Sequence, residues 1–149
     1  MIKTLLKEVK EYKKDTLLSP VYVSIEAILE VLIPFLMAIL VDNGIEKGNM
    51  KSIWFYGFLM LVAAFVSLWA GAKSGKHAAI ASSGFAKNLR KAEYRKIQEF
   101  SFSNVDAYST SGLITRMMTD VTNIQNAYQM IIRVCVRAPL MLIASLIMA

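Results

Sequence analysis

The chain has 149 residues, of which 56 % are apolar and 19 % charged, with mean hydropathy +0.46, net charge +6 and a pI near 9.5. The apolar content excludes a disordered chain, and the single cysteine, Cys135, excludes a disulfide scaffold. Charge is confined to particular stretches, which points to a membrane protein and not to a nucleic-acid-binding or ordinary soluble domain.

In chain order, Met1–Thr16 carries Lys3, Lys7, Lys10, Lys13 and Lys14. Ile2, Leu5, Leu6, Val9 and Tyr12 fall on the opposite face of a helix, so the leader reads as an amphipathic helix at the membrane surface, or simply as a basic anchor. Leu17–Val41 is 25 residues long, enough to cross about 30 Å of hydrocarbon. It contains Pro20, Pro34, Glu26 and Glu30. Its 15 Leu, Ile, Val and Phe residues contribute about −7 kcal/mol to insertion. Two acids near its centre cost roughly 2.5–3.5 kcal/mol each, which nearly cancels that gain. Four residues apart, Glu26 and Glu30 share one helix face, which must therefore meet protein or a wet cavity. There the acids either line a substrate pathway, attracting a cationic substrate or marking its inner mouth, or bond the span to another one. Two internal glutamates and a long basic leader argue against a cleaved signal peptide.

Asp42–Lys51 reads as a loop, on Asp42-Asn43-Gly44 and Gly48-Asn49. Ile53–Ala72 is a second, uncharged span with Trp54 and Tyr56 at one end and Trp69 near the other. No proline stops it, and Lys73–Glu99 keeps a helical repeat in Ala78, Ala81, Phe85, Leu89 and Ala92. That extension would project about 40 Å beyond the bilayer. Within it, Lys87–Lys96 reads as a basic solvated face. The string from Gly71 to His77 lacks the spacing and the Ser or Thr of a phosphate loop; Gly71 and Gly75 instead suggest close helix packing. His77 has no acid or Cys at ligand spacing, so no metal site is expected.

Phe100–Tyr108 is a turn in which Ser103-Asn104-Val105-Asp106 resembles a capping box, predicting a very short helix at the tip. From there Ile114, Val121, Tyr128 and Cys135 recur every seven residues, as do Met117, Ile124, Ile131 and Ala138, an apolar seam capped by Ser109 or Thr110. Cys135 is expected inside that seam. Arg133 and Arg137 read as anchors at the inner interface. The apolar run from Pro139 has 11 residues to Ala149, too few to cross a bilayer. Fifteen Lys or Arg flank the spans on one side against two between them, Lys47 and Lys51. That imbalance places the N-terminus and Lys73–Arg137 in the cytoplasm of a multi-pass cell-membrane protein.

The tip sequence from Phe100 to Gln125 resembles the first intracellular loop of ATP-binding-cassette exporters, at Ser109, Thr110, Leu113, Ile114, Thr115, Arg116, Asp120, Val121 and Gln125. Ser111 and Gly112 stand where the family pattern has Gly and Glu, as in one side of heterodimeric multidrug half-transporters. The resemblance implies an all-α membrane fold, the N-terminal part of a six-helix exporter domain with long cytoplasmic helix extensions. Residues 1–16 would be an elbow helix, 17–41 the first span and 53–99 the second span with its extension. Residues 100–108 would be the coupling region and 109–149 the ascending helix with the start of a third span, where the chain stops short. Ser103, Asn104, Val105, Asp106 and Tyr108 would rest on a nucleotide-binding domain. The chain itself carries no catalytic residue. ATP and magnesium would bind at nucleotide-binding domains outside it, and the partners would be the remaining spans, a second half-transporter and lipid. The whole would hydrolyse ATP to export drugs, lipids or peptides. Two other readings are a small proton-coupled multidrug carrier using a membrane glutamate, and a membrane-anchored coiled-coil scaffold. The long polar hairpin fits the first poorly, and the membrane glutamates fit the second poorly.

Overall fold

The structure, a computed structural model, describes residues 8–99 and 110–148. After a 3-10 turn at Lys10–Tyr12, helix α1 runs Lys13–Leu40 and widens into a π turn at Val41–Ile45. Helix α2 is unbroken over Met50–Gln98. From residue 110, α3 (Thr110–Thr115) passes through a π turn at Arg116–Asp120 into α4 (Val121–Met148). By length and composition, three helices among the described residues can cross a membrane: Lys10–Ile45, Met50–Gln98 and Met117–Ile147. The third apolar run is therefore not confined to the residues after Pro139. Pro139 lies inside α4, and the span reaches back through Arg137 and Arg133.

The turn between α1 and α2 is shorter than Asp42–Lys51. Asp42, Asn43 and Gly44 belong to the closing π turn, and the chain reverses over Glu46–Asn49. Gly48 supplies the reversal with φ +62°, a conformation open to glycine without a Cβ penalty. Asn49 caps α2, its Oδ1 accepting from the Lys51 amide at 3.2 Å. Gly44 is buried instead, and a Cβ there would sit 2.7 Å from Ile53 Cγ1. Its small size, not its flexibility, is what the hairpin uses.

At 1.5 Å per residue α2 is roughly 70 Å long, more than twice the hydrocarbon thickness. It packs antiparallel to α1, and its buried side chains are mostly small, among them Ala63, Ala70, Ser74 and Ala78. Between the two helices Ser19 and Ser74, both fully buried, each donate to the other's carbonyl oxygen at 3.2 Å. Each hydroxyl thereby finds an acceptor without water, as an apolar setting requires. Of the predicted glycine pair, Gly71 lies against α1, whereas Gly75 faces open space.

Helix α4 lies parallel to α1 and antiparallel to α2. The Tyr128 hydroxyl is 2.9 Å from Thr16 Oγ1, and the Tyr128 ring stacks on Phe85 at 4.6 Å. Phe85, Ala86, Leu89 and Val121 form the core there, together with Val9 from the leader. Val9 and Tyr12 of the predicted apolar face are thus turned into protein; Ile2, Leu5 and Leu6 lie outside the described residues. Lys10 has φ +37°, so the leader does not run into α1 as one regular helix. Gly84 makes room for the Tyr12 ring, which would clash with any Cβ at that position.

The heptad seam of α4 holds only at its start. Val121 is buried, and Ile124 and Tyr128 are partly so, but Ile131 is 58 % exposed and Cys135 is exposed too. Ile132 is buried in place of Ile131. A straight helix of 3.6 residues per turn drifts about 20° per heptad, so the contact line moves off the seven-residue register within two repeats. Cys135 is carried to the surface by that drift.

Candidate functional site between the three helices

Glu26 and Glu30 stand one turn apart on α1, and Arg133 and Arg137 stand one turn apart on α4. Because these helices run parallel, the two pairs meet. Arg137 Nη2 donates to both carboxylate oxygens of Glu30 at 2.8 Å, and its Nη1 donates to Glu26 Oε1 at 3.4 Å. The Glu26 side chain is only 14 % exposed. Its Oε2 is buried with no hydrogen-bond partner among the described residues. Gly71 of α2 forms the wall behind Glu26, where a Cβ would come 2.8 Å from Oε1. The acid face thus meets protein, as the insertion arithmetic requires. Arg137, read from sequence as an interface anchor, is in the structure the counter-charge of both acids.

A cavity of about 490 Å³ opens beside this cluster, lined by Glu26, Glu30, Ile33, Leu68, Gly71 and Arg133 among others. Arg133 makes no ion pair or hydrogen bond among the described residues. Arg137 was within reach of a sequence argument: acids and arginines, each spaced i, i+4 in separate apolar stretches, invite pairing.

A second polar node lies toward the start of α1. His77 Nδ1 is 2.7 Å from Asp15 Oδ1, and the imidazole stacks on Tyr22 with ring centroids 5.7 Å apart. Tyr22 in turn meets Trp69 edge-on at 5.7 Å, and the Lys73 ammonium lies 5.7 Å from the Trp69 ring centre. The acid facing His77 sits 62 residues away in sequence, which is why local spacing missed it. The Gly71–His77 string lies inside α2, where backbone N–H groups are committed to the helix and cannot cradle phosphate.

In the polar half of α2, Asn88 Nδ2 donates to the Glu8 carbonyl at 2.9 Å, and Arg90 Nη2 reaches Thr122 Oγ1 at 3.4 Å. The basic stretch therefore holds the leader and α4 as well as facing solvent. Glu93, outside the predicted spans, has its carboxyl pushed above the ordinary range, first by burial and then by the Asp120 charge, with Arg90 opposing. A raised folded-state pKa gives stability that is present at acid pH and lost as pH rises through that pKa. Glu93→Gln is accordingly expected to raise thermal stability at pH 7 and to change it little below pH 4, in melting curves taken across that range. Equal gains at both pH values would show that charge is not the cause.

Ser103, Asn104, Val105, Asp106, Tyr108 and Ser109 lie outside the described residues. Of the other loop-motif positions, Thr110, Leu113, Ile114 and Thr115 fall in α3, and Arg116 and Asp120 in the π turn. Val121 and Gln125 lie in α4. Val121 is fully buried in the core, and Gln125 Nε2 donates to Ser83 Oγ at 3.4 Å. This end of the motif joins α4 to α2.

Residues 17–149 match the family model of the ABC transporter transmembrane region. The uncharacterised ABC transporter ATP-binding protein YfiB of Bacillus subtilis is 36 % identical over 124 residues, covering 83 % of this chain and 22 % of its own length. The uncharacterised ABC transporter ATP-binding proteins Rv1273c of Mycobacterium tuberculosis and Mb1304c of Mycobacterium bovis are each 27 % identical over 157 aligned positions, covering the whole chain and 26 % of their own length. The chain thus spans about a quarter of the length of these relatives.

Proposed function

Because this chain belongs to the ABC transporter transmembrane-region family, we propose that it forms the leading part of the membrane domain of an ATP-driven exporter. The observation that carries this reading is α2, a single helix of 49 residues that passes from an uncharged span into a polar extension. Clamped along its length by α1 and α4, such a rod transmits movement between its tip and the membrane. The tip is Ser103, Asn104, Val105, Asp106 and Tyr108, which receive that movement from a nucleotide-binding domain. The N-terminus and tip are cytoplasmic, because with Arg133 and Arg137 inside the third span 13 of the 15 basic residues still lie on that side against two between the first two spans. ATP and magnesium bind at the nucleotide-binding domains, outside this chain. Approach of those domains tilts the rod and switches the cavity between inward and outward access. Glu26 and Glu30 line the pathway, with Arg137 holding them in place. The partner is a second half-transporter, and Ser111 and Gly112 favour a heterodimer over a homodimer.

Replacing Val105 by glutamate in the intact transporter tests the coupling role. Basal ATP hydrolysis is expected to persist while transport per ATP falls at least tenfold, because charge at a packed contact breaks the mechanical link without touching the nucleotide. Both activities are measured on one reconstituted preparation. Unchanged transport per ATP would remove the coupling role from this segment.

A further inference from the structure

Each acid of α1 has an arginine 107 residues further on, Arg137 for Glu30 and Arg133 for Glu26. On parallel helices of equal rise, equal separations put both arginines in the same register to their acids. Among the described residues one of these two pairs is made and the other is not. Arg137 Nη2 holds both carboxylate oxygens of Glu30 at 2.8 Å, whereas Arg133 makes no ion pair or hydrogen bond. Glu26 is turned the other way. Its carboxylate rests on α2, where a Cβ at Gly71 would come 2.8 Å from Oε1, 3.0 Å from Cδ and 3.4 Å from Oε2.

That seat satisfies the acid poorly. Oε2 is buried there with no hydrogen-bond partner, and Oε1 has a single long contact, 3.4 Å from Arg137 Nη1. A buried acceptor without a donor has lost its hydration and replaced it with nothing. Arg133 has the complementary lack, and both residues line the cavity of about 490 Å³. Rotation of Glu26 off the α2 wall toward Arg133 gives the acid a donor and the arginine an acceptor at once. Glu26 belongs to α1, and Arg133 is what α4 contributes to the lining among the described residues, so a bond between them crosses the cavity. Resting on the exporter reading above, we propose that Glu26 has two seats, one against Gly71 and one on Arg133, and that the second closes the cavity. The structure holds the open state. Gly71 makes the open seat available, because a side chain there would fill the space of the carboxylate. Arg137 stays on Glu30 in both states and keeps α1 and α4 in register. Arg133 and Gly71 are thus positioning residues for the switch in access, acting through Glu26.

The rate at which a cysteine on the cavity wall is alkylated tests this. Ser67 lines the cavity, so Ser67→Cys is placed in the intact transporter with Cys135→Ser and any other cysteine removed, and is reacted with N-ethylmaleimide in detergent without nucleotide. Gly71→Ala evicts the Glu26 carboxylate and is expected to slow labelling at least about fivefold, as follows when the open fraction drops to a fifth or less. Adding Arg133→Gln is expected to bring the rate back to within about twofold of its starting value. Arg133→Lys, which keeps the charge, is expected to leave it slow. Slow labelling that persists when Arg133→Gln is added to Gly71→Ala would mean that the new methyl group itself obstructs the wall, and that result overturns the proposal. Unchanged labelling in Gly71→Ala overturns it as well. Should Gly71→Ala fail to fold, the rate is compared with Gly71 intact, without nucleotide and with vanadate-trapped nucleotide. The two states are expected to label at different rates and Arg133→Gln to make them equal; a difference that survives Arg133→Gln, or no difference at all, again overturns the proposal. ATP-driven transport is followed on the same preparations. A transporter that couples normally while its labelling ignores Arg133 sinks this inference alone, whereas one without ATP-driven transport sinks the reading beneath it.

Discussion

Arg137→Met in the intact transporter is expected to cost about 3–5 kcal/mol of stability, the penalty for leaving buried charge uncompensated. Two carboxylates lose their counter-ion at once, and one of them, Glu26, has a side chain only 14 % exposed. Arg137 itself is 39 % exposed, so solvent relieves part of the loss and the lower end of the range applies. The discriminating variant is the triple replacement Glu26→Gln, Glu30→Gln and Arg137→Met. With no charge left to desolvate, it is expected to recover most of the lost stability, because well-packed neutral groups often match a buried ion pair. Thermal inactivation in detergent, read by loss of the monodisperse peak, measures both. If the triple variant proves as unstable as the single one, the arginine acts through its packing and not through its charge.

That pairing marks the boundary of what the chain reveals on its own. The acid face was legible because two glutamates in an apolar span carry a definite insertion cost, and lipid cannot repay it. Which group repays it stays open in the sequence: the i, i+4 spacing of Arg133 and Arg137 invites the pairing, but Arg137 lies 107 residues beyond Glu30 and reads equally well as an interface anchor. His77 and Asp15 show the same limit. The second helix was legible almost to the residue, expected at 53–99 and observed at Met50–Gln98, because no proline or glycine cluster interrupts a helix-forming composition. The turn between α1 and α2 misled for a physical reason. Asp-Asn-Gly is a strong local turn signal, yet Gly44 serves close packing against Ile53, and the reversal waits for Gly48. Cys135 went astray through geometry, since a sequence repeat of seven binds a helix to its neighbour only where the helix is wound to match. Val9 was assigned to a membrane surface because an apolar face states that burial is needed but not by what.

The core around Phe85 carries the second large effect. Phe85 is 2 % exposed, stacks on Tyr128 and contacts the cluster formed by Val9, Ala86, Leu89 and Val121. Truncation to alanine removes most of a buried ring and leaves a cavity, which costs about 3–5 kcal/mol when the surroundings cannot collapse. Collapse is hindered here because the cluster joins three separate pieces of chain: the leader, α2 and α4. Ile80, on the same helix but 38 % exposed, is the matched control, and Ile80→Ala is expected to cost under about 1 kcal/mol. Hydrogen exchange locates the damage as well as sizing it. In Phe85→Ala, protection is expected to fall at Tyr12 and along 121–128 together, while the membrane half near Ser19 and Ser74 keeps its protection. A uniform loss over all three helices would mean that the rod unfolds as one unit. The leader would then be held by the rod as a whole, with no separate clasp at Phe85.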